Sequence, residues 1–183
     1  MFSVTLDPSI VRMIECGIGI ILMIGACQKL RDLSMFQAAV EAYDLIPLTN
    51  TRFFSAAYAI IELAVAVFLI SNFAPSTSVV SAMILMSVTT FAISINLLKG
   101  NTDVSCGCGG IEDEQRLSWT LVSRNVAIIS LLCICLFETR YRAYDLLDSF
   151  NLILGSTSIY VVYLLSSQLI ANQEKLNRLR AQL

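Results

Sequence analysis

Residues 106–110 read Cys-Gly-Cys-Gly-Gly, two thiols one residue apart in a run where glycine holds three of five positions. A disulfide wants Cα atoms about 4.4–6.8 Å apart, which a Cys-x-Cys turn meets with some strain. Gly107 removes the Cβ that restricts such a turn, and Gly109 and Gly110 admit positive φ. A strained, exposed disulfide is oxidising and readily exchanged. A helix starting near Ser118 lowers the pKa of a thiol folded toward it, whereas Asp103, Glu112, Asp113 and Glu114 push the other way. Three chemistries stay open: redox exchange, a soft-metal site, and a plain structural turn. Thiolates suit Cu(I) or Zn, but Cys106, Cys108 and Cys27 make an incomplete set in a chain without histidine, so no metal is assigned. Redox exchange is favoured, with Cys106 and Cys108 as the catalytic pair and Cys27 as a candidate third thiol.

The remaining cysteines lie in apolar sequence. Cys133 and Cys135 point ~200° apart on a helix and cannot pair while it is intact. They and Cys16 read as packing residues.

The elements that hold this loop are hydrophobic. Of 183 residues, 56% are hydrophobic and 14% charged, against about 25% charged in a soluble domain. A net charge of −2 argues against nucleic acid as a partner, and the absence of histidine excludes histidine-based acid–base catalysis. Five apolar runs, at about 9–28, 53–72, 77–98, 118–137 and 150–171, each have the ~20 residues needed to span a ~30 Å hydrocarbon core as a helix. Strands would alternate and be shorter. The expected fold is an all-α integral membrane protein in one domain, 1–171, with a basic tail at 172–183 read as a frayed or interfacial helix. Met1–Pro8 lacks a basic region and no Ala-x-Ala site follows the first run, so that run is expected to be retained.

With side A the face of the N-terminus, side B receives Lys29, Arg31, Arg52, Lys99, Arg116, Lys175, Arg178 and Arg180. The positive-inside rule then makes side B, with Cys106 and Cys108, cytoplasmic. Leu33, Phe36, Ala39, Val40 and Tyr43 follow a helical spacing, with Asp32 or Ser34 as start cap and Pro47 as stop. This predicts a short amphipathic helix on side B, either an ordinary linker or a cover for the thiol loop. Arg140–Phe150 reads as an interfacial segment on side A.

Two charged residues fall inside apolar runs. Glu62 lies about nine residues from side B and Arg124, followed by Asn125, about six; their heights differ by ~4–5 Å. Buried charges face the bundle interior with partners, so a Glu62–Arg124 contact is predicted, with Asn96 or Asn125 adding hydrogen bonds. Arg12 and Glu15, three apart, are expected to pair near side A.

The ordered set Lys29, Phe36, Tyr43-x-x-x-Pro47, Glu62, Gly100, Cys106-Gly107-Cys108-x-Gly110 and Arg124-Asn125 resembles the methylamine-utilisation MauE family, within a wider group of redox-associated, DoxX-like membrane proteins. Gly109 stands where an aromatic residue is expected. The resemblance implies a bacterial inner-membrane, multi-pass protein with a four-helix core laid out like membrane thiol oxidoreductases. It implies a role in maturation, disulfide formation or export of the methylamine dehydrogenase small subunit, a periplasmic disulfide-rich client, through Cys106 and Cys108. Its partners would be that subunit, or another thiol–disulfide protein, and the lipid bilayer; a quinone is the one cofactor it suggests. The competing reading is a non-catalytic membrane chaperone or export scaffold. A small-solute transporter is weaker, because the runs show no inverted repeat or broken helix.

Overall fold

The computed structural model describes residues 7–44, 50–101, 117–137 and 146–181. These form six helices and, among the described residues, no strand: α1 (Pro8–Arg31), α2 (Leu33–Ala42), α3 (Thr51–Ser71), α4 (Pro75–Leu98), α5 (Trp119–Ile134) and α6 (Leu146–Ala181). α1, α3, α4 and the stretch Leu146–Gln173 of α6 are each long and apolar enough to cross a membrane, and α5 is a shorter apolar helix. The polarity is inverted relative to a soluble fold. Phe53, Phe91, Ile153 and Val162 are 81%, 69%, 69% and 65% exposed, while Glu15, Lys29, Glu62, Asn96 and Asn125 are buried. Such a surface suits hydrocarbon, and the chain is an integral membrane bundle.

Helix starts follow local chemistry. Asp7 caps α1 by accepting from the Ser9 amide (2.9 Å), ahead of Pro8 in the first turn. Asp32, rather than Ser34, caps α2 by accepting from the Met35 amide (3.1 Å). Asn72 and Ala74 take left-handed φ of 58° and 48° to turn the chain from α3 into α4, where Pro75 opens the helix.

α1 packs against both α3 and α6, and α4 against both α3 and α5. Glycines permit the close approaches of α1. A Cβ at Gly17 would lie 2.9 Å from Ile159 Cβ and Cγ2 of α6, and one at Gly19 would lie 2.8 Å from Ile70 Cγ1 of α3. These small residues therefore serve contacts within the chain. Ile14, Ile18, Leu22, Val65, Ala66, Leu69, Val79, Ala82, Ile128 and Leu132 form the main core. Ile93, Leu117, Leu121 and Ile170 form a second cluster at side B, with Tyr43 and Leu97 packed on it.

The ends of α5 and α6 show what sets the boundaries. α5 ends at Ile134 rather than 137, because the amides of Cys135, Leu136 and Phe137 turn back to the carbonyls three residues earlier. Its 16 residues rise ~24 Å. α6 runs on to Ala181, through most of the expected tail, since Ala171–Ala181 contains no glycine or proline to stop it. The expected stop at Pro47 and most of the Arg140–Phe150 segment lie outside the described residues.

Candidate functional site

The polar centre of the bundle is built at the side B end of α1. Lys29 stands in the last turn of α1 and points inward, because the helix continues to Arg31. Its ammonium donates to Glu62 Oε1 (2.9 Å) and Oε2 (2.6 Å) of α3. Both residues are buried. The ammonium also lies 5.5 Å from the Phe36 ring centroid and 5.4 Å from that of Tyr58, so an aromatic wall closes two of its sides. Phe36 and Tyr58 contact each other at 5.9 Å, which seats α2 over the ion pair. Thr89 Oγ1 donates to the Leu85 carbonyl (3.0 Å), so its 2.6 Å contact with Tyr58 is a bond that Tyr58 donates. On the outer part of α2, Glu41 Oε1 accepts from Gln37 (2.8 Å) and Thr51 (2.7 Å), and the Gln37 bond leads in holding its carboxyl below the usual range. Tyr43, at the end of α2, has its hydroxyl pKa raised by burial.

The predicted Glu62–Arg124 pair is therefore corrected: Glu62 pairs with Lys29. α1 packs directly along α3, so Lys29 reaches the carboxylate first and occupies both oxygens. Arg124 turns to α6 instead, donating from Nη1 to Ser167 Oγ (2.8 Å) with its guanidinium 4.9 Å from the Tyr163 ring centroid. Its Nε is buried without a hydrogen-bond acceptor among the described residues. An unpaired arginine inside a membrane helix costs about 2.5–3.5 kcal/mol on insertion scales. Asn96 does not assist Glu62 either; its amide donates to the Ala92 carbonyl (3.1 Å) and its oxygen accepts from Asn101. Glu62, Arg124 and Asn125 nevertheless line one cavity of about 40 Å³, together with Gly25, Lys29, Met86, Thr89 and Tyr163.

The thiols divide by position. Cys106 and Cys108 lie outside the described residues. Cys27 is exposed and free, and it lies two residues before Lys29, ~200° round the helix. It therefore faces away from the ion pair. Cys16 is buried beside Arg12 (Nη2–Sγ 3.5 Å), Cys133 is exposed and Cys135 half-buried. The Arg12–Glu15 pair forms as expected, at 2.6 Å. Arg12 further donates to the Leu69 and Ile70 carbonyls (both 3.1 Å) and to Asn72 Oδ1 (3.2 Å), capping the C-terminal end of α3.

The family model for methylamine utilisation protein MauE matches residues 7–138, which covers the first five helices and both members of the Lys29–Glu62 pair. The chain belongs to the MauE family. Among MauE relatives, the methylamine utilization protein MauE of Paracoccus denitrificans is 28% identical over 131 residues, 72% of this chain and 70% of that protein. The MauE protein of Methylorubrum extorquens is 30% identical over 122 residues, 67% of this chain and 66% of that protein. No solved structure matches the chain. MauE membership places the chain in methylamine utilisation.

Proposed function

We propose that this MauE-family chain is a membrane accessory factor for maturation, disulfide formation or export of the methylamine dehydrogenase small subunit, acting through Cys106 and Cys108. The observation that carries the reading is where the family-like residues converge. Lys29, Phe36, Glu62 and Arg124 gather in the side B half of the bundle. The connection bearing the two thiols leaves from Asn101 and returns at Leu117 on that same side, where Leu117 packs with Ile93 and Leu97. The polar centre thus lies in the same half of the bundle as Asn101 and Leu117, the two described ends of that connection.

The exchange balances as follows. A client thiolate attacks one sulfur of the Cys106–Cys108 disulfide, forming a mixed disulfide and releasing the other sulfur as a thiolate. The second client thiol then displaces the first cysteine. The client loses two electrons and two protons, and the loop pair is left as two thiols. Reoxidation of the Cys106 and Cys108 thiols removes two electrons and two protons, which a membrane quinone would accept if one bound the bundle.

A periplasmic client needs the loop outside, whereas the charge count puts side B inside. Thiol labelling in intact cells decides between them, using a membrane-impermeant maleimide on a variant that retains only Cys106 and Cys108. Labelling only after reduction supports direct oxidation of the client and reverses the charge-based orientation. Labelling that needs opened membranes but is still reduction-dependent places the disulfide on the inner face. Client oxidation then needs an electron relay, which restoring side A thiols such as Cys16 or Cys135 to the variant tests. Labelling independent of reduction sinks the redox reading. We expect Cys106→Ser to leave the membrane protein present while the client accumulates reduced and is degraded, read by thiol-shift electrophoresis.

One observation favours the scaffold reading: the Lys29–Glu62 pair and its aromatic wall are complete without any thiol. On that reading Cys106→Ser and Cys108→Ser are tolerated, and changes at Glu62 or Arg124 abolish client maturation.

A further inference from the structure

We propose that the cavity lined by Lys29, Glu62, Thr89, Arg124, Asn125 and Tyr163 is a binding site for one carboxylate, held by the guanidinium of Arg124. The charge balance points to an anion. Lys29 and Glu62 cancel, and both Glu62 oxygens are engaged at 2.9 and 2.6 Å. Arginine stays charged in proteins, so the lining carries one uncompensated positive charge among the described residues. Water filling the cavity would satisfy hydrogen bonds but leave that charge.

Geometry narrows the anion to a carboxylate. Arg124 is already positioned, through Nη1 on Ser167 and its plane over Tyr163. Its Nε–H is buried with no acceptor among the described residues. The Nε edge of a guanidinium presents two parallel donors, which match the two oxygens of a carboxylate. A cavity of about 40 Å³, set against the ~10–15 Å³ that one water requires, has room for a small head group. A planar carboxylate head matches the planar fork that Arg124 would present in this space. The head has two sources, a short acid from the aqueous phase or a fatty acid from the bilayer.

The test uses the full chain in phosphatidylcholine nanodiscs, titrated separately with [1-13C]acetate and [1-13C]laurate and followed by carboxyl NMR. Wild type is expected to give an exchange-broadened or shifted carboxyl signal, with saturation by acetate assigning the aqueous source and saturation by laurate alone the lipid source. Arg124→Lys keeps the charge but loses the fork, and should bind at least about tenfold more weakly, the worth of one charge-assisted bond. Gly25→Leu fills the cavity from α1 and should abolish binding with Arg124 intact, which separates loss of the site from loss of the fold. Arg52→Gln, at an exposed position on α3, should bind as wild type does. No signal in wild type, equal affinity in Arg124→Lys, or displacement by equimolar chloride would each overturn the assignment.

Discussion

At the scale of the residue, the Lys29–Glu62 pair is the contact most sensitive to change. Removing one partner leaves the other charge buried and unpaired, which costs about 3–5 kcal/mol, whereas replacing both with apolar groups of similar volume is often neutral. Lys29→Met and Glu62→Leu are therefore each expected to lower stability sharply, and the double variant to recover most of the loss. Reversible unfolding in mixed micelles checks this; additive losses in the double variant would mean that the two side chains do not depend on each other. The pair was hidden in the sequence for a physical reason. A lysine followed by Leu30 and Arg31 at the end of an apolar run reads as a charged stop. Only three more residues of helix turn it inward. Glu62, Arg124 and Asn125 were legible because charged and amide side chains stand out in continuous hydrocarbon sequence. Which of them touch was not, because partner choice depends on helix adjacency, which spacing does not encode.

Asp32 gives a residue-level prediction with a defined sign. Its carboxylate accepts from Ser34 Oγ (2.8 Å) and from the Met35 amide (3.1 Å), and these bonds, the Ser34 bond first, hold its pKa below the ordinary 3.8. A carboxyl depressed in the folded state stabilises fully above its unfolded value and loses that contribution as pH falls through the folded one. The start of α2 should therefore stay intact at neutral pH and fray only below about pH 4. Hydrogen exchange at the Met35 amide, corrected for its intrinsic pH dependence, would show this; protection unchanged down to pH 2 would refute it.

At the scale of the element, helices in lipid associate by close packing rather than by hydrophobic transfer, so the glycines of α1 carry disproportionate weight. Gly17→Ala places a methyl 2.9 Å from branched Ile159, whose Cβ cannot move without its backbone. Gly155→Ala meets Met13 Sδ at 2.6 Å, the outer part of a flexible side chain that can swing away. Overpacking typically costs about 1–3 kcal/mol. The Gly17 variant should lie in the upper part of that range and the Gly155 variant below it, and Ile159→Ala should rescue the former alone. Unfolding in mixed micelles reads both; equal losses would refute the distinction. The apolar runs were legible as helices because nothing but a helix satisfies the backbone in hydrocarbon. Their ends were less so. The tight turns that close α5 at Ile134 arise from backbone bonding, and the tail stays helical because no residue in it opposes helix.

At the scale of the whole molecule, the contacts at the two ends of the bundle determine how many times the chain crosses it. Ser9 Oγ donates to Asp148 Oδ1 (3.1 Å), which ties the first turn of α6 to the first turn of α1 at side A. Ile170, near the other end of the apolar part of α6, packs with Leu117 and Leu121 at the start of α5 and with Ile93 near the end of α4. Those residues lie at side B, so α5 begins there. Leu132, at its far end, joins Ile14 and Leu69 in the core toward side A. Short as it is, α5 must cross for α6 to start beside α1. The bundle thus has five passes, and the two ends of the described chain lie on opposite faces. A fluorescent-protein fusion after Leu183 and a periplasm-dependent phosphatase fusion at the same point should give opposite answers, one active and one silent. The charge count predicts the fluorescent one. An active phosphatase would place side B, and with it the connection bearing Cys106 and Cys108, on the exterior face where a periplasmic client could meet it directly.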